Sequence, residues 1–239
     1  MSGFDSDRYS FSLTTFSPSG KLGQIDHALA AVNNGSTSIG IKSHDGIVLV
    51  TERKLKSALI DKDSIKKVQI LADNVGCVYS GIGADSAVLV RSGRKNGEVY
   101  RRQFGENPGV DTVAKDLTAK MQSYTQSGGV RPFGCSLLVG GVDPAGPSLW
   151  QVDPSGSSIR WKATAIGKNS RTCKTFLEKR VTPDLSLDDA VKIALLSLKE
   201  VFDGLLKAEH CEVGIISTED GLFRKMTDAE VTEQLDGLE

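Results

Sequence analysis

Phe16-Ser17-Pro18-Ser19-Gly20-Lys21-Leu22-Gly23-Gln24-Ile25-Asp26-His27-Ala28, with Gly35-Ser36-Thr37-Ser38-Ile39-Gly40 a few residues further on, is the stretch on which the fold turns. Pro18 fixes its own φ and Gly20 permits a turn that side-chain-bearing residues resist, so the chain ahead of them is aimed sharply relative to the residues after them. From Lys21 to Val32 the apolar Leu22, Ile25, Leu29 and Val32 recur at helical spacing, and Asn33-Asn34-Gly35 stops the run; a short amphipathic helix is expected within 19–34. The second stretch then enters a strand. Ser36 to Lys42 and Ile47 to Val50 flank His44-Asp45-Gly46, a hairpin signal with β-branched residues on both sides.

Working outward, Val68 to Leu71 and Val75 to Ser80 repeat the hairpin pattern around Ala72-Asp73-Asn74, and the first half is expected to form one antiparallel sheet. Two helices follow, the clearer being Asp111 to Gln126 with its stripe of Val113, Leu117, Met121 and Tyr124, ended by Gly128-Gly129. Strands at Phe133 to Gly140, Ser148 to Val152 and Ser157 to Trp161, separated by Asp-Pro turns, imply a second sheet. Ser186 is the expected N-cap of a long helix through Val191, Leu195, Leu198, Phe202 and Leu205. A strand from Glu212 to Ser217 and a last helix opened by the capping box Thr227-Asp228-Ala229-Glu230 complete an α+β pattern.

Composition narrows the function. The 239 residues contain no linker, low-complexity tract or repeat, so a single domain spanning 1–239 is expected. A balance of 29 basic against 30 acidic residues points to no nucleic-acid partner. No apolar run approaches the roughly 20 residues that span a bilayer, and the polar start lacks a signal-peptide core, so no membrane association is expected. Cys77, Cys135, Cys173 and Cys211 are widely spaced, without a Cys-x-x-Cys or histidine pair to complete a zinc site, and read as free thiols. His27 reads as a packed helix residue, Asn34-Gly35-Ser36 as a chance sequon, and Gly81-Ile82-Gly83-Ala84-Asp85-Ser86 as a tight strand-to-helix turn lacking the third glycine of a dinucleotide site. Neither a phosphate-binding lysine loop nor Gly-x-Ser-x-Gly occurs. No metal or cofactor is called for.

The proline turn with its helix, the loop Tyr124-Thr125-Gln126-Ser127-Gly128-Gly129-Val130-Arg131-Pro132-Phe133-Gly134 and the segment Lys162-Ala163-Thr164-Ala165-Ile166-Gly167 together resemble the proteasome alpha-type subunits, essentially end to end. The resemblance implies the N-terminal-nucleophile (Ntn) hydrolase fold, a four-layer αββα sandwich of two antiparallel sheets between helical layers. It implies a non-catalytic structural and gating role in a seven-membered ring of alpha subunits. That ring would rest on beta-ring subunits, accept the C-terminal tails of a regulatory particle or other activators, and pass unfolded protein substrates, in cytoplasm and nucleus.

In the catalytic beta-type relatives a threonine freed by autocleavage uses its own α-amine as base, since an alcohol is a weak nucleophile until its proton is taken. By alignment through Gly40 and Asp45-Gly46, that threonine falls at Ser36, with Thr37 beside it; the supporting charges fall at Glu52, Lys54 and Lys67. Both candidates are internal, so the competing reading, an Ntn hydrolase, needs cleavage before Ser36 or Thr37. The resemblance assigns residues 1–15 to a gate tail. There Tyr9-Ser10-Phe11 stands where the family usually has Tyr-Asp-Arg, with Pro18 and Gly20 as its turn. It further assigns Lys67, Asp26 and Gly81 to an activator pocket, and Arg131, Pro132, Phe133 and Gly134 to a subunit interface.

Overall fold

The computed structural model describes residues 15–54, 57 and 59–238. Tyr9, and all of the expected gate tail except Thr15, lie outside the described residues.

The proline turn closes through hydrogen bonds from Gly20 N to Ser17 O (2.8 Å) and from Ser17 N to Lys21 O (2.9 Å). Gly20 takes a φ of +75°, which an L side chain resists. Because this turn uses residues up to Lys21, the first helix, α1, runs over Gly23–Asn33 and buries Ala28 and Val32.

Among the described residues ten strands follow, β1 (Ser38–Lys42), β2 (Gly46–Glu52), β3 (Gln69–Ala72), β4 (Val75–Gly81), β5 (Cys135–Asp143), β6 (Gly146–Val152), β7 (Ser158–Arg160), β8 (Ala163–Ile166), β9 (Cys211–Ser217) and β10 (Arg224–Lys225). The remaining helices are α2 (Gly83–Phe104), α3 (Val110–Gln126), α4 (Ser170–Glu178), α5 (Leu187–Val201) and α6 (Asp228–Asp236). The strands form two five-stranded sheets, ordered β10-β9-β2-β1-β8 and β3-β4-β5-β6-β7. All pairings are antiparallel.

The expectation that the first half makes one sheet is therefore corrected: its two hairpins belong to different sheets. The free edge of β2 is taken by β9, in register from Gly46↔Ser217 to Glu52↔Cys211. The free edge of β4 is taken by β5, from Val75↔Gly141 to Gly81↔Cys135. β2 is buried along nearly its whole length, so its sequence carries no alternation to reveal which sheet it joins.

Packing completes the sandwich. Ile47, Leu49, Val78, Leu138 and Leu149 form the core between the sheets. Outside the first sheet Ala194, Leu195 and Leu198 of α5 cover Ile39, Val48 and Val50. Outside the second, Leu89 of α2 and Val113, Leu117 and Met121 of α3 cover Cys77, Leu137 and Val139. This is the αββα order of an Ntn-hydrolase fold.

Local signals explain the helix ends. The Ser186 hydroxyl accepts Asp189 N at 3.2 Å, and Thr227 and Glu230 cap α6 reciprocally. The helix expected to reach Leu205 instead ends at Val201: Phe202 turns extended, Gly204 takes φ +105°, and Leu205 is 66% exposed.

All four cysteines are buried and free. Burial pushes the thiols of Cys77, Cys135 and Cys211 up to about 12, far from the thiolate form that reacts. The native chain is thus expected to resist alkylation by iodoacetamide at pH 8, and the unfolded chain to react at all four positions. Rapid labelling of the native chain, read by intact mass, would contradict this packing. Among the described residues no cluster of three or more His, Cys, Asp or Glu could hold a metal, and no helix is long and apolar enough to cross a membrane.

Candidate functional site

The sequence delivers its nucleophile candidates at the junction of α1 and β1. There the chain is held as an intact link: Gly35 N donates to Val32 O (2.9 Å), and Lys168 N donates to Gly35 O (2.8 Å). The Ser80 hydroxyl lies within hydrogen-bond distance of both the Val32 and Ser36 carbonyl oxygens, at 3.1 and 2.9 Å. Thr37 N donates to the Glu52 carboxylate at 3.3 Å, the Thr37 hydroxyl donates to Lys168 O, and Lys67 Nζ donates to Glu52 O at 3.0 Å.

Hydrogen bonds therefore link Thr37, Glu52 and Lys67. Ser36, Thr37, Glu52 and Lys54 line a cleft of about 280 Å³ beside Lys168 and His210, which Lys67 does not line. The cleft lacks the chemistry of a self-activating nucleophile. The nitrogens of Ser36 and Thr37 are amides, which have no basic lone pair, and the Thr37 proton already points to a carbonyl oxygen. Neither hydroxyl is supplied with a base of the self-activating kind.

Lys67 is only 6% exposed. Desolvation lowers its ammonium from the ordinary lysine value to about 8, opposed by the charges of Glu52 and Glu212. Its ammonium also sits over the Tyr79 ring, 5.3 Å from the centroid. Of its expected partners, Asp26 lies exposed in the first turn of α1, a separate element. Gly81 ends β4 at φ +106° and has two backbone neighbours: a Cβ on Gly35 would fall 2.2 Å from Gly81 N, and a Cβ on Gly81 would fall 2.2 Å from Gly134 O.

That second contact joins two groups which the sequence treats separately, Gly81 and the Arg131-to-Gly134 loop. Asp85, in the first turn of α2, receives both ends of the Arg131 guanidinium (2.6 and 2.8 Å) and Gly134 N (2.8 Å). Ile82 N donates to Gly134 O at 2.9 Å. These bonds, the Arg131 pair foremost, hold the Asp85 carboxyl below its ordinary value against the opposing effect of burial. Within the loop, Phe133 is buried and packs on Tyr124 with ring centroids 4.6 Å apart; Pro132 and Gly134 are buried too. Residues 126–131 are the exposed part of the connection. Sequence reasoning misses Asp85, whose only local signal is that of an acidic residue in the first turn of a helix after a glycine turn.

Two family profiles match this architecture: one, described as "Proteasome subunit", spans residues 32–216, and the other, the N-terminal signature of the A-type proteasome subunits, spans residues 9–31. The chain belongs to the proteasome subunit family and carries the N-terminal signature of its alpha type. It is 54% identical over 232 residues to proteasome subunit alpha type-2-B of Arabidopsis thaliana, covering 97% of this chain and 98% of the relative. It is 52% identical over 231 residues to proteasome subunit alpha type-2 of Dictyostelium discoideum, with 97% and 98% covered. With the type-2 subunit of Saccharomyces cerevisiae it shares 50% over 248 residues, covering 97% of this chain and 99% of the relative.

Proposed function

We propose that this chain is a non-catalytic structural and gating subunit in the outer seven-membered alpha ring of a proteasome core particle. It would rest against beta-ring subunits and act in ubiquitin-dependent protein degradation in cytoplasm and nucleus. The observation that carries this reading is the bonded Gly35–Ser36 link, tied to β4 and to the end of β8 by Ser80 and Lys168, with α1 packed directly ahead of it. A disposable propeptide would have no need of such seating. The competing hydrolase, which requires cleavage before Ser36 or Thr37, would have to dismantle it.

In this reading the proline turn at Pro18 and Gly20 aims a tail containing Tyr9 over the pore that unfolded substrates enter. Within the Arg131-to-Gly134 interface segment, the buried Pro132, Phe133 and Gly134 shape the loop, and the exposed Arg131 meets a ring neighbour. Lys67 meets the C-terminal carboxylate of a docking activator, near Asp26 and Gly81, for which its ammonium must leave Glu52 O. A compact cation with three donors suits a carboxylate that is partly out of water. Charge-assisted bonds of this kind are worth roughly 1.5–3 kcal/mol, so Lys67→Ala is expected to weaken tail binding at this pocket by about 10-fold to 150-fold. The check is a short photo-crosslinking peptide with a free C-terminal carboxylate, its carboxamide as control, with the adduct on this chain quantified by mass in the assembled particle. Equal labelling of wild type and Lys67→Ala, or of carboxylate and carboxamide, would overturn the role of Lys67.

A further inference from the structure

Glu212 lies 145 positions from Lys67 in sequence and yet makes three hydrogen bonds around it. Its Oε1 accepts Lys67 N at 3.0 Å, and its Oε2 accepts Val68 N at 3.1 Å and Lys225 Nζ at 2.9 Å. The residue is 8% exposed, so its carboxylate is taken from water and each of those bonds stands in for lost hydration. β9 carries Glu212 opposite Thr51, one residue before Glu52, whose carbonyl oxygen holds the Lys67 ammonium. Lys67 is thus gripped at two points: its amide by the Glu212 side chain, its ammonium by the Glu52 main chain.

We propose that Glu212 is the positioning residue of the Lys67 anion site: it fixes the Lys67–Val68 backbone from across the sheet, so that only the ammonium is free to leave Glu52 O and meet a carboxylate. The inference rests on the reading of Lys67 given above. A carboxylate held in this way does two things. It removes the backbone freedom that a ligand would otherwise have to freeze, and it places a fixed negative charge beside a cation that burial disfavours.

The charged and titratable groups facing Lys67 are Glu52 on β2, Glu212 on β9 and Tyr79 on β4, with Lys66 adjacent in sequence and Lys225 of β10 on the far side of Glu212. Lys67 binds a carboxylate only as the ammonium, so with its value near 8 in this environment, binding should fall as pH rises through about 8. Removing the Glu212 charge makes the ammonium harder to keep. Removing the Lys225 charge makes it easier.

The test uses the same photo-crosslinking peptide on assembled particles, across pH 6.5 to 9.5, with subunit-resolved mass readout. Glu212→Gln is expected to weaken carboxylate-dependent labelling at pH 7.5 about tenfold and to move its fall with pH down by about one unit. Lys225→Met, at a half-exposed position, is expected to move the fall in the opposite direction. A purely structural role for Glu212 would give no such opposed pair. If Lys67→Ala abolishes the labelling while Glu212→Gln leaves affinity and pH profile unchanged, the role of Glu212 is overturned and that of Lys67 stands. If Lys67→Ala changes nothing, the reading of Lys67 itself fails. Should Glu212→Gln not assemble, an unshifted profile in Lys225→Met overturns the proposal by itself.

Discussion

Gly81→Ala is expected to destabilise the chain by about 4 kcal/mol. Two effects add: a φ of +106°, which L residues avoid, and a Cβ placed 2.2 Å from Gly134 O, a backbone atom that cannot rotate away. The comparison that isolates the contact is Gly20→Ala, whose φ of +75° carries the backbone strain alone because nothing lies within 4 Å of the added methyl. That variant should cost about 1 kcal/mol. Denaturant unfolding of the purified variants separates the two. Equal losses would mean that Gly81 and Gly134 are not in contact and that the β4–α2 corner does not seat the loop.

The second large effect is at the same corner. Asp85→Ala removes a carboxylate that pairs Arg131 and caps Gly134 N, leaving one charged and one amide donor without their acceptor. A loss of about 2–4 kcal/mol is expected, with Arg131's solvent exposure keeping it below the range for fully buried pairs. Because the folded carboxyl lies below its ordinary value, its stabilisation is complete above the unfolded value, about 3.9, and is lost as pH falls through the lower folded one. The difference in stability between wild type and Asp85→Ala should therefore be level from pH 5 to 7 and shrink only below about pH 4. A difference that persists unchanged to pH 2 would show that the charge is not what holds the loop.

Much of this fold is legible in the sequence. The hairpins around His44-Asp45-Gly46 and Ala72-Asp73-Asn74 are visible in β-branched runs broken by turn residues, and the caps at Ser186 and Thr227 announce α5 and α6. The distribution of strands between sheets is not visible, because β2 and β4 are buried on both faces and a strand without alternation names no partner. α4 escapes because only Cys173 and Leu177 are buried in its nine residues, too little to establish a helical period.

The site divides in the same way. Family resemblance picks out Thr37, Glu52 and Lys67, and the structure brings them together. Asp85 and Glu212 act through bonds to residues 46 to 49 and 144 to 145 positions away, distances at which no local pattern exists. In the sequence Lys67 looks like a lysine near a strand start. Only the packing of β2, β4 and β9 around it shows how far it has been taken from water.

That this family member is not a nucleophile is tested most directly by the intact mass of the chain, within a particle purified through it, after exposure to an electrophilic peptide warhead. The expected result is a large assembly with other subunits in which this chain keeps α1 and the Gly35–Ser36 bond and bears no adduct. A chain beginning at Ser36 or Thr37, with the warhead attached to that first residue, would contradict the non-catalytic assignment.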